Sequence, residues 1–123
     1  MGLSHPTAKS FSYAFTGLKT ALKQEPNFRI HIVIALLALI LAVFLKLTPI
    51  EWVLLIFTIC FVLILELLNT SIESVVDLVS PELKPEAKIA KDVSAAMVLL
   101  SAFVAILVGV FLFMPKLMIY PIW

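Results

Sequence analysis

Three apolar runs, at about 30–45, 53–65 and 93–114, dictate what this 123-residue chain can fold into. A helix rises about 1.5 Å per residue, so roughly 20 such residues cross a hydrocarbon layer. Inside that layer each backbone N–H and C=O must be satisfied within its own segment, which leaves α-helices as the form these runs take. A water-soluble bundle is excluded by composition: 63% of the residues are hydrophobic and 14% charged, too few to cover the apolar surface. The chain therefore reads as an all-α integral membrane protein with a single domain over 1–123. It has no room for a separate soluble catalytic domain, so any chemistry must be built from the ends of its membrane helices. A net charge of +1 leaves no basic face for nucleic acid, and none is expected as a partner. Lone Cys60 can form neither an internal disulfide nor a metal cluster and reads as a small apolar packing residue.

Ahead of the first run, residues 9–24 place Phe11, Phe15, Leu18 and Leu22 at helical spacing, with Ser12, Thr16, Lys19 and Lys23 on other faces. This predicts an amphipathic helix lying flat at the membrane interface, its lysines near anionic lipid. A helix packed on the others is the alternative, with Gly17 permitting a bend or close approach. Met1 to Ala8 lacks the basic, apolar, small-residue order of a cleaved signal peptide, so the first span is expected to stay. Pro26 disfavours helix at Glu25 and suits a new first turn, which starts span one at about 29–47. His31 lies at its start, where an imidazole facing water is the commoner arrangement. Thr48 and Pro49 read as N-cap and first helical residue of span two, about 50–70, with Trp52 at interfacial depth.

Helical periodicity continues to Val79, so the second helix is roughly 45 Å long and must project beyond the bilayer. Pro81 and Pro85 mark a loop, a charged segment covers 86–92, and span three covers 92–114. Ser94, Ala95, Ala96, Ser101, Ala102 and Ala105 give that span a close-approach surface. Lys116, Tyr120 and Trp123 are expected to anchor its exit. Basic residues concentrate before span one (Lys9, Lys19, Lys23, Arg29) and between spans two and three (Lys84, Lys88, Lys91). The positive-inside bias then places the amino terminus and second loop in the cytoplasm.

Where span two leaves the bilayer, Glu66, Asn69, Glu73 and Asp77 fall on one narrow arc of helix. Ionisable side chains at that depth are disfavoured unless paired or solvated, and they mark working sites. Glu66 comes about 21 Å after Trp52, near the far hydrocarbon boundary, and Glu73 about 10 Å further out. One carboxylate thus sits at headgroup depth and the other near water, as a reaction between a lipid and a soluble molecule requires. Glu25, Glu66 and Glu73 are hard oxygen ligands suited to Mg²⁺ carrying ATP, and Lys91 offers a point charge to phosphate. The glycines are Gly2, Gly17 and Gly109, so neither a P-loop nor a protein-kinase glycine loop can be formed.

The order Glu66-Leu-Leu-Asn69-Thr-Ser-Ile-Glu73-Ser-Val-Val-Asp77, then Ser80-Pro-Glu82 and Ala87-Lys-Ile-Ala-Lys91-Asp92, resembles the small prokaryotic diacylglycerol kinase and undecaprenol kinase family. Tyr13, Gly17-Leu18 and Glu25-Pro-Asn-Phe28-Arg29 match its upstream pattern, and the likeness covers about 9–112. It implies a homotrimeric helical bundle of three-span subunits, each with an interfacial helix, and active sites shared between neighbours. Glu66 matches the catalytic carboxylate and Asn69 a residue that places the catalytic group. Glu25 and Glu73 match the metal ligands that hold Mg-ATP. Tyr13, Asp77, Glu82, Lys91 and Asp92 match positions on the nucleotide side; Arg29, Glu66 and Ala95 match the lipid side. The resemblance further implies a bacterial inner-membrane enzyme acting on a lipid alcohol. His31, Ala95, Leu22 and Gly109 depart from the best-known diacylglycerol kinase branch, while Ser80-Pro81-Glu82 and Asn27-Phe28-Arg29-Ile30-His31 look more like the undecaprenol kinases. Undecaprenol is therefore the expected acceptor and diacylglycerol the alternative.

Other classes stay open on the residues alone. A transporter subunit would carry charges through the bilayer midplane, whereas these stop at one interface. A non-catalytic assembly protein would use the ladder as interhelical glue.

Overall fold

The computed structural model describes residues 6–119, which form α1 (Thr7–Gln24), α2 (Pro26–Phe44), α3 (Pro49–Val79) and α4 (Pro85–Ile119). The last three are each long and apolar enough to cross a membrane. Of the exit anchor expected at the carboxyl end, Tyr120 and Trp123 lie outside the described residues, as does 1–5 of the amino-terminal segment.

Helix α1 buries only Ala21, and its Phe11 and Phe15 are exposed. Pro26 opens α2 as its sequence position predicts, and Arg29 completes the corner. Its Nη1 donates to the carbonyls of Leu22 and Lys23 at 2.9 Å each, covering acceptors that a helix end leaves unpaired. A Cβ at Gly17 would meet no heavy atom within 4 Å, so no close approach within the chain depends on it.

Helix α2 stops at Phe44, short of the expected 47. Leu47 N–H donates to Ala42 C=O and Lys46 N–H to Val43 C=O, each at 3.3 Å. This is a Schellman closure, with Lys46 at φ 54° in the left-handed position usually given to glycine. The apolar contact that accompanies the motif is present too, since Leu47 and Ala42 share one buried cluster. Thr48 then caps α3 through a reciprocal box: Glu51 N–H donates to Thr48 Oγ1 at 3.4 Å and Thr48 N–H to Glu51 Oε1 at 3.0 Å.

Helices α3 and α4 form the most extensive pairing. At the end bearing the α2–α3 turn, Ala42, Leu47, Leu55 and Leu112 are buried together, with Trp52, Val108 and Phe113 packed against them. Trp52 thus belongs partly to the core. Lys116 ties the same end of α4 to α3, its Nζ lying 2.9 Å from Glu51 Oε1. Helix α4 continues through Pro115 to Ile119, past the expected end at 114. A proline near a helix terminus removes a single backbone donor, and the Lys116–Glu51 pair fastens the turn that follows. Cys60 is exposed on α3, contrary to the packing role expected of it within the chain. Phe57, Leu99 and Phe111 are likewise exposed, and such continuous apolar surface is stable only against lipid or another chain.

Candidate active site

At the opposite end of the bundle the helix period of α3 stacks its polar ladder beside α4. Ser94 on α4 is buried and its Oγ donates to Asn69 Oδ1 at 2.6 Å. That contact leaves the Asn69 amide nitrogen to donate along the helix to Glu73 Oε1 at 3.3 Å. Asn69 is therefore fixed from both sides, and it in turn fixes one oxygen of Glu73. Glu66, a turn earlier, is 3% exposed.

The His31 ring approaches Glu66 across α2 and α3, with Nε2 3.1 Å from Oε1. The distance suits an ion pair but the alignment is not that of a hydrogen bond, and Oε1 has no other partner. A buried carboxylate oxygen in that condition is energetically unfavourable. Glu25, half-buried at the α1–α2 junction, and Glu73 both lie within electrostatic range of Glu66. Three carboxylates and one imidazole thus converge at the polar end.

Other residues singled out in the sequence lie around this centre. Lys91 Nζ is 2.5 Å from Asp77 Oδ1, linking α4 to the outer part of the ladder. Asp92 instead pairs along α4 with Lys88 at 2.5 Å, both side chains well exposed. Glu82 is exposed in the loop, where its backbone carbonyl accepts from the Ser80 hydroxyl. Tyr13 is exposed on α1, Arg29 is engaged with the end of α1, and Ala95 is exposed beside buried Ser94. Two members escaped the sequence reading. His31 was expected to face water, and its isolation as a polar residue in an apolar run was the signal available. Ser94 reads from the sequence as a small packing residue, although a serine three residues after Lys91 stays near the same helical face.

Behind His31 a cavity of about 340 Å³ opens between α2, α3 and α4. Its lining is apolar apart from His31 and Thr58, whose hydroxyl is occupied by the Leu54 carbonyl at 2.7 Å. Gly109 lies in its wall, where no side chain narrows the space.

Among the described residues no group of three or more His, Cys, Asp or Glu has the spacing of a protein-built metal cage. Mg²⁺ seldom uses one; it is commonly held by one or two carboxylates plus substrate phosphate oxygens, a role that Glu25 and Glu73 fit by donor chemistry.

Residues 12–113 match the family described as prokaryotic diacylglycerol kinase. The chain is 46% identical over 110 residues to a diacylglycerol kinase of Synechocystis, covering 89% of this chain and 63% of that protein's length. It is 38% identical over 109 residues to the undecaprenol kinase of Bacillus subtilis, covering 89% of each. The diacylglycerol kinase of Escherichia coli is 38% identical over 99 residues, covering 80% of this chain and 81% of that one. With nearly all of α1 to α4 inside the match and the polar ladder at its centre, the chain belongs to the prokaryotic diacylglycerol kinase family of lipid kinases.

Proposed function

We propose that the chain phosphorylates a membrane lipid alcohol with ATP at the cytoplasmic face of the bacterial inner membrane, converting undecaprenol to undecaprenyl phosphate. The observation that carries this reading is the buried Glu66 carboxylate, set between a polar ladder and an apolar cavity through its contact with His31. An amphiphile with one hydroxyl and a long apolar tail fits that arrangement: the first part of the tail enters the cavity, the rest stays in lipid, and the hydroxyl reaches the carboxylate.

Phosphoryl transfer depends mainly on positioning and on neutralising phosphate charge. Glu66 takes the proton as the alcohol oxygen bonds to the γ-phosphorus and the bond to the β-phosphate oxygen breaks, giving phospholipid and ADP. Asn69, held by Ser94, keeps the ladder in register. Glu25 and Glu73 would hold the Mg²⁺ of Mg-ATP, which would supply charge neutralisation on the phosphates. Lys91, oriented by Asp77, stands on the nucleotide side with Tyr13, Glu82 and Asp92; Arg29 and Ala95 stand on the lipid side. The exposed span faces suit a homotrimer with shared sites, and the aromatic side of α1 suits the membrane surface.

The similarity to the Synechocystis protein supports diacylglycerol as a second reading. Purified protein in detergent, given Mg²⁺, labelled ATP and both alcohols in competition, distinguishes the two. Preferential label in undecaprenyl phosphate is expected; preferential label in phosphatidic acid would reverse the order.

A further inference from the structure

We infer that His31 is a positioning residue for Glu66: it holds Oε1 of the buried carboxylate so that the other oxygen is presented to the acceptor hydroxyl. The inference rests on the kinase reading above and goes beyond it by assigning the two carboxylate oxygens separate tasks.

The geometry points to this division. His31 and Glu66 come from different helices, and their side chains are 23% and 4% exposed. Little water competes for the contact. Of the ionisable groups within electrostatic range of Glu66, His31 is the one in contact with it. His31 also lines the cavity, so the ring that contacts the carboxylate borders the apolar space as well. A carboxylate free to rotate would divide its time between orientations, and proton acceptance would follow only from one. Contact with Nε2 selects that orientation from the cavity side. Asn69 does not substitute for it, because its amide is already committed to Ser94 and Glu73.

Two variants and one spectrum test the assignment. His31→Leu fills similar space without a nitrogen and should lower kcat about 100-fold through misplacement of the base, with the KM for Mg-ATP within about twofold of wild type. His31→Gln restores an N–H near the position of Nε2 and should recover at least about tenfold of that loss. In full-length protein labelled with ¹⁵N-histidine, the His31 ring resonances should move when Glu66→Gln is introduced, with or without substrate. The inference is overturned if His31→Leu keeps a kcat within about threefold of wild type, if the Gln variant recovers nothing, or if the ring resonances ignore the change at 66. Wild-type protein that transfers no phosphate to either alcohol would overturn the kinase reading instead, and the ring resonances would then decide separately whether the pair exists.

Discussion

The two ends of the α2–α3–α4 bundle are built on opposite principles. At the turn end, Ala42, Leu47, Leu55 and Leu112 bury one another, a capping box closes α3, and the Glu51–Lys116 pair ties its two helices together with each side chain about one-fifth exposed. Thr48 and Glu51 complete the start of α3, and Glu51 with Lys116 forms the cross-link. At the other end polar Glu66 and Ser94 are buried alongside apolar Phe28 and Ala87, and a carboxylate oxygen of Glu66 is left without a hydrogen-bond partner. Buried polar groups in such a state oppose folding and are kept where chemistry needs them.

This contrast is broken or sharpened by substitutions at each end. Glu66→Gln should lower turnover about 10³-fold while leaving the Tm of detergent-solubilised protein unchanged or raised, measured by lipid phosphorylation and thermal unfolding together. Comparable turnover would remove Glu66 from the chemistry. At the opposite end, Leu112→Ala should lower stability by about 2 kcal/mol through lost packing and leave the KM for Mg-ATP intact in the folded fraction. Glu73→Gln should raise the Mg-ATP requirement about tenfold, seen as a shifted Mg²⁺ titration of activity, with a smaller effect on the saturated rate. Ser94→Ala removes the donor that fixes Asn69 and should reduce kcat about threefold to tenfold, the worth of one hydrogen bond. Smallest of all, Lys116→Met should cost about 0.5 kcal/mol of stability in denaturant unfolding and nothing in turnover.

Much of this architecture was legible in the sequence because its causes are local. Apolar run length predicts three spans, Thr48-Pro49 the start of α3, and Pro26 the α1–α2 corner, all of which the helix boundaries match. The ladder was legible for the same reason, since residues three and four apart must share a helix face. Features that depend on backbone exceptions were not. Lys46 takes a left-handed conformation without the glycine that usually announces one, and α4 passes through Pro115 to end at Ile119. Partners distant in the chain were also hidden. Ser94 meets Asn69 across 25 positions, and His31 meets Glu66 only because α2 lies against α3. Helical periodicity places a residue on a face but does not say which face of which neighbour it meets.

The central claim is that the ladder end, and not the turn end, receives the phosphate donor. Photo-crosslinking of the full chain in detergent with an azido-ATP and Mg²⁺, followed by mass spectrometry of the labelled peptides, tests it directly. Label is expected at 13–25 or between 66 and 92, competed away by unlabelled ATP. Competable label confined to 45–55 or 108–119 would contradict it.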